Sequence, residues 1–194
     1  MNYAFVGQPF SDNIGNGKTL SAVELIMLEH LYKNKVIYSN IELPGVQHIE
    51  LTPDNMFEVL EVHNAAVLFD EISAITHKNH RITEKCKNHG EHIGLCYYLT
   101  QFLRQVRKAE ITSACTAQVL YDVQCQMREV MQRIIICEKY HVEGNTIIPC
   151  HSDICPPEHA HYIKQTNSRT GEVIFKNLEK YYPYYNTKKI IKGW

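Results

Sequence analysis

The sequence predicts an α/β fold: a mainly parallel sheet flanked by helices on both faces, followed by a C-terminal extension rich in β-hairpins. Three observations carry this. Short apolar runs alternate with segments of helical periodicity from residue 3 to residue 137, the pattern of strands joined by helical crossovers. Gly17-Lys18-Thr19 stands between the first apolar run and the first helical segment, where a strand must turn sharply into a helix. Beyond Cys137 the pattern changes to short alternating runs separated by Glu143-Gly144-Asn145 and by residues 168–171, which are hairpin turn signals.

Taken in order, residues 3–6 read as a strand. Residues 20–32 read as a helix, because Leu, Ala, Met and Glu favour helix and the apolar positions recur at helical spacing. Lys33-Asn34-Lys35 ends that helix, residues 36–41 form the next strand, and Pro44-Gly45 turns the chain. Thr52-Pro53-Asp54 starts a helix by N-cap and early proline, with Met56, Val59 and Leu60 facing inward. Residues 65–69, Ala-Ala-Val-Leu-Phe, form a run short and apolar enough to be a strand buried on both faces. Residues 76–92 are polar and rich in His, Lys and Asn, the composition of a mobile surface connection. A helix over 93–106, a strand of small residues over 111–118, a helix over 122–132 and an apolar strand over 133–137 follow. Two hairpins then pair 139–142 with 146–148 and 162–164 with 172–175. The tail from Tyr181 to Trp194 is aromatic and then basic. With neither repeat nor low-complexity linker, residues 1–194 read as one domain, its core about 1–137 and its extension about 138–194.

Composition excludes several classes. At 194 residues, 44% hydrophobic and 21% charged, the chain matches an ordinary globular domain, neither disordered nor fibrous. No run is long enough to span a bilayer and no signal segment opens the chain, so stable membrane insertion is not expected and an intracellular setting is. A net charge of −1 provides no global basic field, and contacts with nucleic acid would need local patches. The seven cysteines include no CxxC pair, and an intracellular setting argues against a disulfide framework. Cys150, Cys155, His159 and His161 have the ligand types of a zinc site but no standard spacing, and Cys86, His89, His92 and Cys96 are a weaker set. No zinc site is assigned to either.

The chemistry concentrates in two motifs. In Gly15-Asn16-Gly17-Lys18-Thr19-Leu20, glycines let backbone amides curl around phosphate oxygens at the positive end of the following helix. Lys18 would reach the outer phosphates of a nucleoside triphosphate, and the Thr19 hydroxyl would bind Mg2+. The upstream count is long: Gly7 lies ten positions before Gly17, and Asp12 holds the slot five before it. The extra length, residues 8–13, is expected to bulge at the mouth of the site, with Pro9 and Phe10 shaping the nucleotide pocket or a subunit contact. The second motif is Asp70-Glu71, directly after the buried strand. Such enzymes need an acid on the metal side and a group that polarises the attacking water; Asp70 and Glu71 fit those roles. Gln118, ending a strand able to lie between the two motif strands, is placed to sense the γ-phosphate. Arg128 is placed to serve a neighbouring subunit's nucleotide.

The order Gly-Asn-Gly-Lys-Thr (15–19), Tyr-Ser-Asn-Ile (38–41), Leu-Phe-Asp-Glu-Ile (68–72), Gln-Val-Arg-Lys (105–108), Thr-Ala-Gln (116–118), Gln-Met-Arg (126–128) and a late Tyr-Asn-Thr (185–187) resembles the FtsK/HerA-type P-loop motor ATPases. It is most similar to the genome-packaging ATPases of archaeal and bacterial icosahedral viruses with internal membranes. The zonula-occludens-toxin-like assembly proteins of filamentous phages share most of the pattern, which covers residues 3–137 well and the tail only by its last element. The resemblance implies a P-loop NTPase fold of the ASCE/RecA-like kind, ATP and Mg2+ as cofactors, and hydrolysis coupled to DNA translocation. It implies Lys18 and Thr19 as phosphate and metal residues, Asp70 and Glu71 as the acid pair, Gln118 as sensor and Arg128 as trans-acting finger. Arg107 or Lys108 could be the finger instead, or touch DNA. It also implies a homo-oligomeric ring, a hexamer, threading double-stranded DNA at a viral capsid vertex, in the virion or the infected cell's cytoplasm. Lys78, Arg81, Lys85 and Lys87, and Lys188, Lys189 and Lys192, are the basic sets available for DNA; the tyrosines 181, 182, 184 and 185 are expected to pack on the domain or a neighbouring subunit. A zonula-occludens-toxin-like protein would carry a membrane span after the ATPase part, which is not seen before Trp194. A nucleotide-binding switch without turnover is the remaining alternative.

Overall fold

The computed structural model describes residues 1–7, 16–52, 55–75, 95–123, 125–150 and 161–185. Its strands are β1 (Asn2–Val6), β2 (Val36–Ser39), β3 (Ile49–Glu50), β4 (Ala65–Phe69), β5 (Thr112–Ala117), β6 (Arg133–Glu143), β7 (Thr146–Pro149), β8 (His161–Asn167) and β9 (Val173–Lys176). The helices are α1 (Lys18–Lys33), α2 (Ile72–Ile75), α3 (Leu95–Gln105) and α4 (Cys125–Val130).

One sheet runs in the order β3-β2-β4-β5-β1-β6-β8-β9. Every pairing from β3 through β6 is parallel. β6 then pairs antiparallel with β8, and β8 with β9. β7 pairs antiparallel with the far end of β6. Since β8 occupies the other side of β6, β7 continues on the side that β1 leaves at Ile136. The fold thus joins a parallel half to an antiparallel half through one long strand.

Burial explains the arrangement. β4 and β5 are buried at every position, as the interior strands of a sheet covered on both faces must be. One face packs Val67, Phe69, Phe102, Leu103 and Met127 under α3 and α4. The other packs Val23, Ile26, Ile37, Leu68, Ile163 and Tyr181 under α1 and the tail. The small side chains of β5 let α1 cross it closely. α1 begins at Gly17 (φ 77°) and ends at Asn34 (φ 51°), both left-handed, a conformation that glycine and asparagine reach at least cost. Among the described residues no helix is long and apolar enough to cross a membrane.

Four expectations change. β2 stops at Ser39, two residues early, because Asn40 leaves the ladder to bind the residue after β4. The expected helix after Pro53 is a 3-10 turn over Met56–Glu61; it has six residues before Asn64 (φ 51°) reverses the chain into β4, and its proposed cap at residues 53–54 lies outside the described residues. The helix expected over 122–132 is reduced to α4, preceded by a 3-10 turn over Leu120–Asp122. The strand at 133–137 and the first hairpin arm are one strand, β6. Glu138 interrupts the apolar run, but it pairs with Lys164 of β8 in register and as a 2.6 Å ion pair. The polar connection at 76–92 and all seven lysines and arginines of the basic sets lie outside the described residues.

Candidate functional site

Parallel strands bring their C-terminal ends to one rim, and α/β sheets bind ligands there. β1 delivers Gly7, β2 Asn40, β4 Asp70-Glu71 and β5 Gln118, while α1 points its first turn at them. β5 lies between β1 and β4, so Gln118 emerges between the two motif strands, as expected.

The residues meet through short hydrogen bonds. Thr19 Oγ1 donates to Asp70 Oδ1 at 2.7 Å, and Thr116 Oγ1 donates to the same oxygen at 2.8 Å. Lys18 Nζ donates to Gln118 Oε1 at 2.8 Å, and Gln118 Nε2 donates to Glu71 Oε1 at 2.7 Å. Gln118 therefore links the lysine to the carboxylate. Lys18, Thr19 and Asp70 are buried.

The backbone is held as firmly. Asn40 clamps Asp70 from both sides, its Oδ1 accepting from Asp70 N at 2.7 Å and its Nδ2 donating to Asp70 O at 2.8 Å. Glu71 has φ 50°, an uncommon conformation for a non-glycine residue, and its N–H donates to Thr116 Oγ1 at 2.8 Å. A Cβ on Gly7 would lie 2.8 Å from Asn16 Nδ2, and one on Gly17 would lie 2.3 Å from Ile163 Cδ1. At Gly17, with its left-handed backbone (φ 77°), only glycine fits; at Gly7 a side chain would have to push the Asn16 amide aside.

Burial shifts the charges. It lowers the Lys18 pKa, against the attraction of Glu71, Cys137 and Asp70. It raises Asp70, opposed by the Thr19 and Thr116 hydroxyls and by Lys18. Burial and the charge of Asp70 raise Glu71, opposed by Lys18 and Gln118. The carboxylates thus carry a desolvation penalty that a cation would relieve. Hydroxyl and carboxylate oxygens at Thr19 and Asp70 are hard donors of the kind magnesium takes, so the residues fit the ion.

Of the sequence-predicted residues, Asn16, Gly17, Lys18, Thr19, Leu20, Asp70, Glu71 and Gln118 gather here, with Leu20 buried beneath. Gly15 and residues 8–13 lie outside the described residues. Arg128, on α4, stacks its guanidinium 5.5 Å from the Tyr121 ring centroid, and its Nε is buried without a hydrogen-bond partner. Arg107 and Lys108 are exposed after α3. Cys150 is part of a disulfide, which corrects the expectation of reduced thiols there and leaves it no thiolate for zinc. Its Sγ lies 3.9 Å from His161 Nδ1, while Cys155 and His159 lie outside the described residues. Among the described residues no three His, Cys, Asp or Glu gather as a metal site.

Three further residues complete the site. In the sequence, Asn40 and Thr116 are visible only as parts of Tyr-Ser-Asn-Ile and Thr-Ala-Gln, with no role attached. Tyr185 has only a packing role in the sequence. Half-buried against the α1 side of the core, it feels the site's charges: burial and then Asp70 and Glu71 raise its pKa, opposed by Thr19.

No family model matches the chain, and no curated protein matches it. Solved structures do. The N-terminal domain of zonular occludens toxin from Neisseria meningitidis superposes with a TM-score of 0.57 at 14% identity, covering 95% of this chain and 98% of that one. The genome packaging NTPase B204 of Sulfolobus turreted icosahedral virus 2, in complex with sulfate, gives 0.51 at 10% identity, covering 90% and 94%. Identities this low speak for the fold. The chain has the P-loop NTPase fold expected of it, a mostly parallel sheet flanked by helices.

Proposed function

We propose that this chain hydrolyses ATP with Mg2+ and couples turnover to the translocation of double-stranded DNA, as a genome-packaging motor working in a homo-oligomeric ring. The observation that carries the hydrolytic part is the convergence of Thr19 and Thr116 on Asp70, beside the Lys18–Gln118–Glu71 chain. These are the groups phosphoryl transfer to water requires: a phosphate-binding cation, a metal-side acid and a carboxylate to orient water.

In this reading the amides of residues 15–19 and Lys18 would hold the phosphates, and Thr19 and Asp70 would hold Mg2+, which when bound would supply neutralisation of the charge developing on the phosphoryl group. Glu71 accepts a proton from the attacking water, and Asn40 and Thr116 keep it aimed. Gln118 Nε2 leaves Glu71 to donate to the γ-phosphate and thereby frees Glu71, so the Lys18–Gln118–Glu71 chain is the resting arrangement. Arg128 completes a neighbour's site across the ring. Residues 1–194 act as one domain.

DNA packaging rests on the motif order and on likeness to a packaging NTPase. The likeness to the zonular occludens toxin domain, over 95% of this chain and 98% of that one, favours a second reading, an NTPase for phage assembly or secretion. ATP turnover measured with and without duplex DNA separates the two: at least severalfold stimulation by duplex DNA supports packaging, and indifference to it supports the second. Binding of ATP with no turnover in an assembled ring would contradict both.

A further inference from the structure

β9 is the outer strand of the antiparallel half and, among the described strands, pairs only with β8. Its three apolar residues, Val173, Ile174 and Phe175, are 47, 43 and 45% exposed. An apolar edge strand is a template for pairing with another chain, and proteins blunt such edges with proline, charge or a bulge. Residues 173–175 carry neither proline nor charge, and their register against β8 is unbroken.

The backbone of β9 alternates between its two neighbours. Asn167 N donates to Glu172 O at 2.9 Å, so Glu172 faces β8. Antiparallel partners exchange hydrogen bonds at every second residue, so Ile174, opposite Gln165, and Lys176, opposite Ile163, face β8 as well. Ser168 N donates to Ile134 O, at the β6 side, which fits the same alternation in β8. Val173 and Phe175 therefore turn their N–H and C=O groups outward.

The side chains select what can pair there. Glu172-Val173-Ile174-Phe175-Lys176 is complementary to itself read backwards. Two copies laid antiparallel about Ile174 set Glu172 opposite Lys176 at both ends, Val173 opposite Phe175, and Ile174 opposite itself. Opposite charges and aromatic–β-branched pairs are among those that stabilise adjacent strands. The same register joins the outward groups of Val173 to those of Phe175 in the other copy. Setting Val173 against itself, or Phe175 against itself, would also match outward groups, but each would place a charge against Ile174. Glu172 is exposed. Lys176 gives one of its three donors to Glu24 at 2.7 Å, so both charges remain able to pair across the contact.

We propose that β9 is a self-association edge: two copies of this chain pair antiparallel through residues 172–176, about a two-fold axis at Ile174, and continue the sheet from one copy into the other. A two-fold contact closes at two subunits. It builds no ring, but joins two chains or two rings, and it stands whether or not the chain hydrolyses ATP. A strand of this length is small beside the roughly 20–30 residues a side of a stable interface, so the association is weak and depends on concentration.

Single cysteines test the register, in a Cys125→Ser background that removes an exposed native thiol. On the axis, residue 174 meets its own copy as a non-hydrogen-bonded pair with Cα atoms about 4.5 Å apart, a span a disulfide bridges. Residue 173 is as exposed but meets its own copy only diagonally, at about 7–8 Å. Mild oxidation should therefore link Ile174→Cys into a covalent dimer about tenfold faster than Val173→Cys. Sedimentation velocity of wild type should show a doubling of mass as concentration rises. Ile174→Lys sets like charges opposite each other on the axis, and Glu172→Lys sets them opposite at both ends. Each should weaken the doubling about tenfold, with circular dichroism unchanged. Equal cross-linking at 173 and 174, one mass at every concentration, or association unchanged in both lysine variants would each overturn the proposal.

Discussion

Asp70 accepts two hydroxyl hydrogen bonds in a buried position, and its pKa nevertheless stands above the ordinary carboxylate value. The folded protein therefore takes up a proton there more readily than the unfolded chain, and this residue's contribution to stability falls as pH rises through the interval between the two pKa values. Asp70→Asn removes the charge and keeps an acceptor for Thr19 and Thr116, so the unliganded variant should melt at higher temperature than wild type at neutral pH. The stabilisation that MgATP gives to wild type should be absent from it; thermal melts with and without MgATP measure both. Asn40→Ala acts oppositely. It strips Asp70 N–H and C=O of their partners, at about 1–3 kcal/mol for each group left unpaired and buried, and should lower turnover by loosening Glu71 without touching the nucleotide. Urea unfolding and a comparison of kcat with KM check this, with the loss expected mainly in kcat. The residues of this site are legible unequally for a physical reason. Lys18, Thr19, Asp70 and Glu71 sit in short contiguous motifs at the ends of apolar runs. Asn40, Thr116 and Tyr185 act across 30, 46 and 166 positions of sequence, and only strand order brings them in.

Among the elements, α1 is fixed at both ends. At its start Gly17 closes on Ile163 of β8; at its end Glu29 accepts from Lys33 at 2.6 Å, from Lys35 at 2.8 Å and from Thr112 Oγ1 at 2.8 Å. Burial pushes the Glu29 pKa up, but these three bonds outweigh it and pull the value down to about 2 from 4.5. Stability from this clamp is thus present above the unfolded value and is lost as pH falls from about 4.5 toward 2. Glu29→Gln should flatten acid unfolding within that interval, read by circular dichroism. At the sheet's centre, Phe69 is fully buried and meets Phe102 edge-on with centroids 6.0 Å apart, and Phe69→Ala should cost about 3–5 kcal/mol. The alternation of strands and helices is readable because interior parallel strands are continuous apolar runs. β6 is not, because its polar residues at 138–140 look like a boundary until β8 is laid beside them. The 3-10 turn at Met56–Glu61 reads as a helix because local propensity carries no information about the room available before β4.

At the scale of the whole molecule, the parallel half carries the phosphate-side residues and the antiparallel half buttresses them through Ile163, Tyr181 and Tyr185. If the chain works as a ring, Arg128 belongs to a neighbour's site. Mixing Arg128→Ala subunits with Lys18→Ala subunits should then restore activity that neither has alone, whereas an additive null result would return Arg128 to its stacking on Tyr121. Central to the mechanism is that Glu71 activates water in a site assembled by Lys18, Thr19 and Asp70. ATP hydrolysis by the purified wild-type chain and by Glu71→Gln tests it most directly. Wild type should turn over steadily, and Glu71→Gln should lose about 100-fold or more while retaining ATP binding. Turnover in Glu71→Gln equal to that of wild type would contradict it.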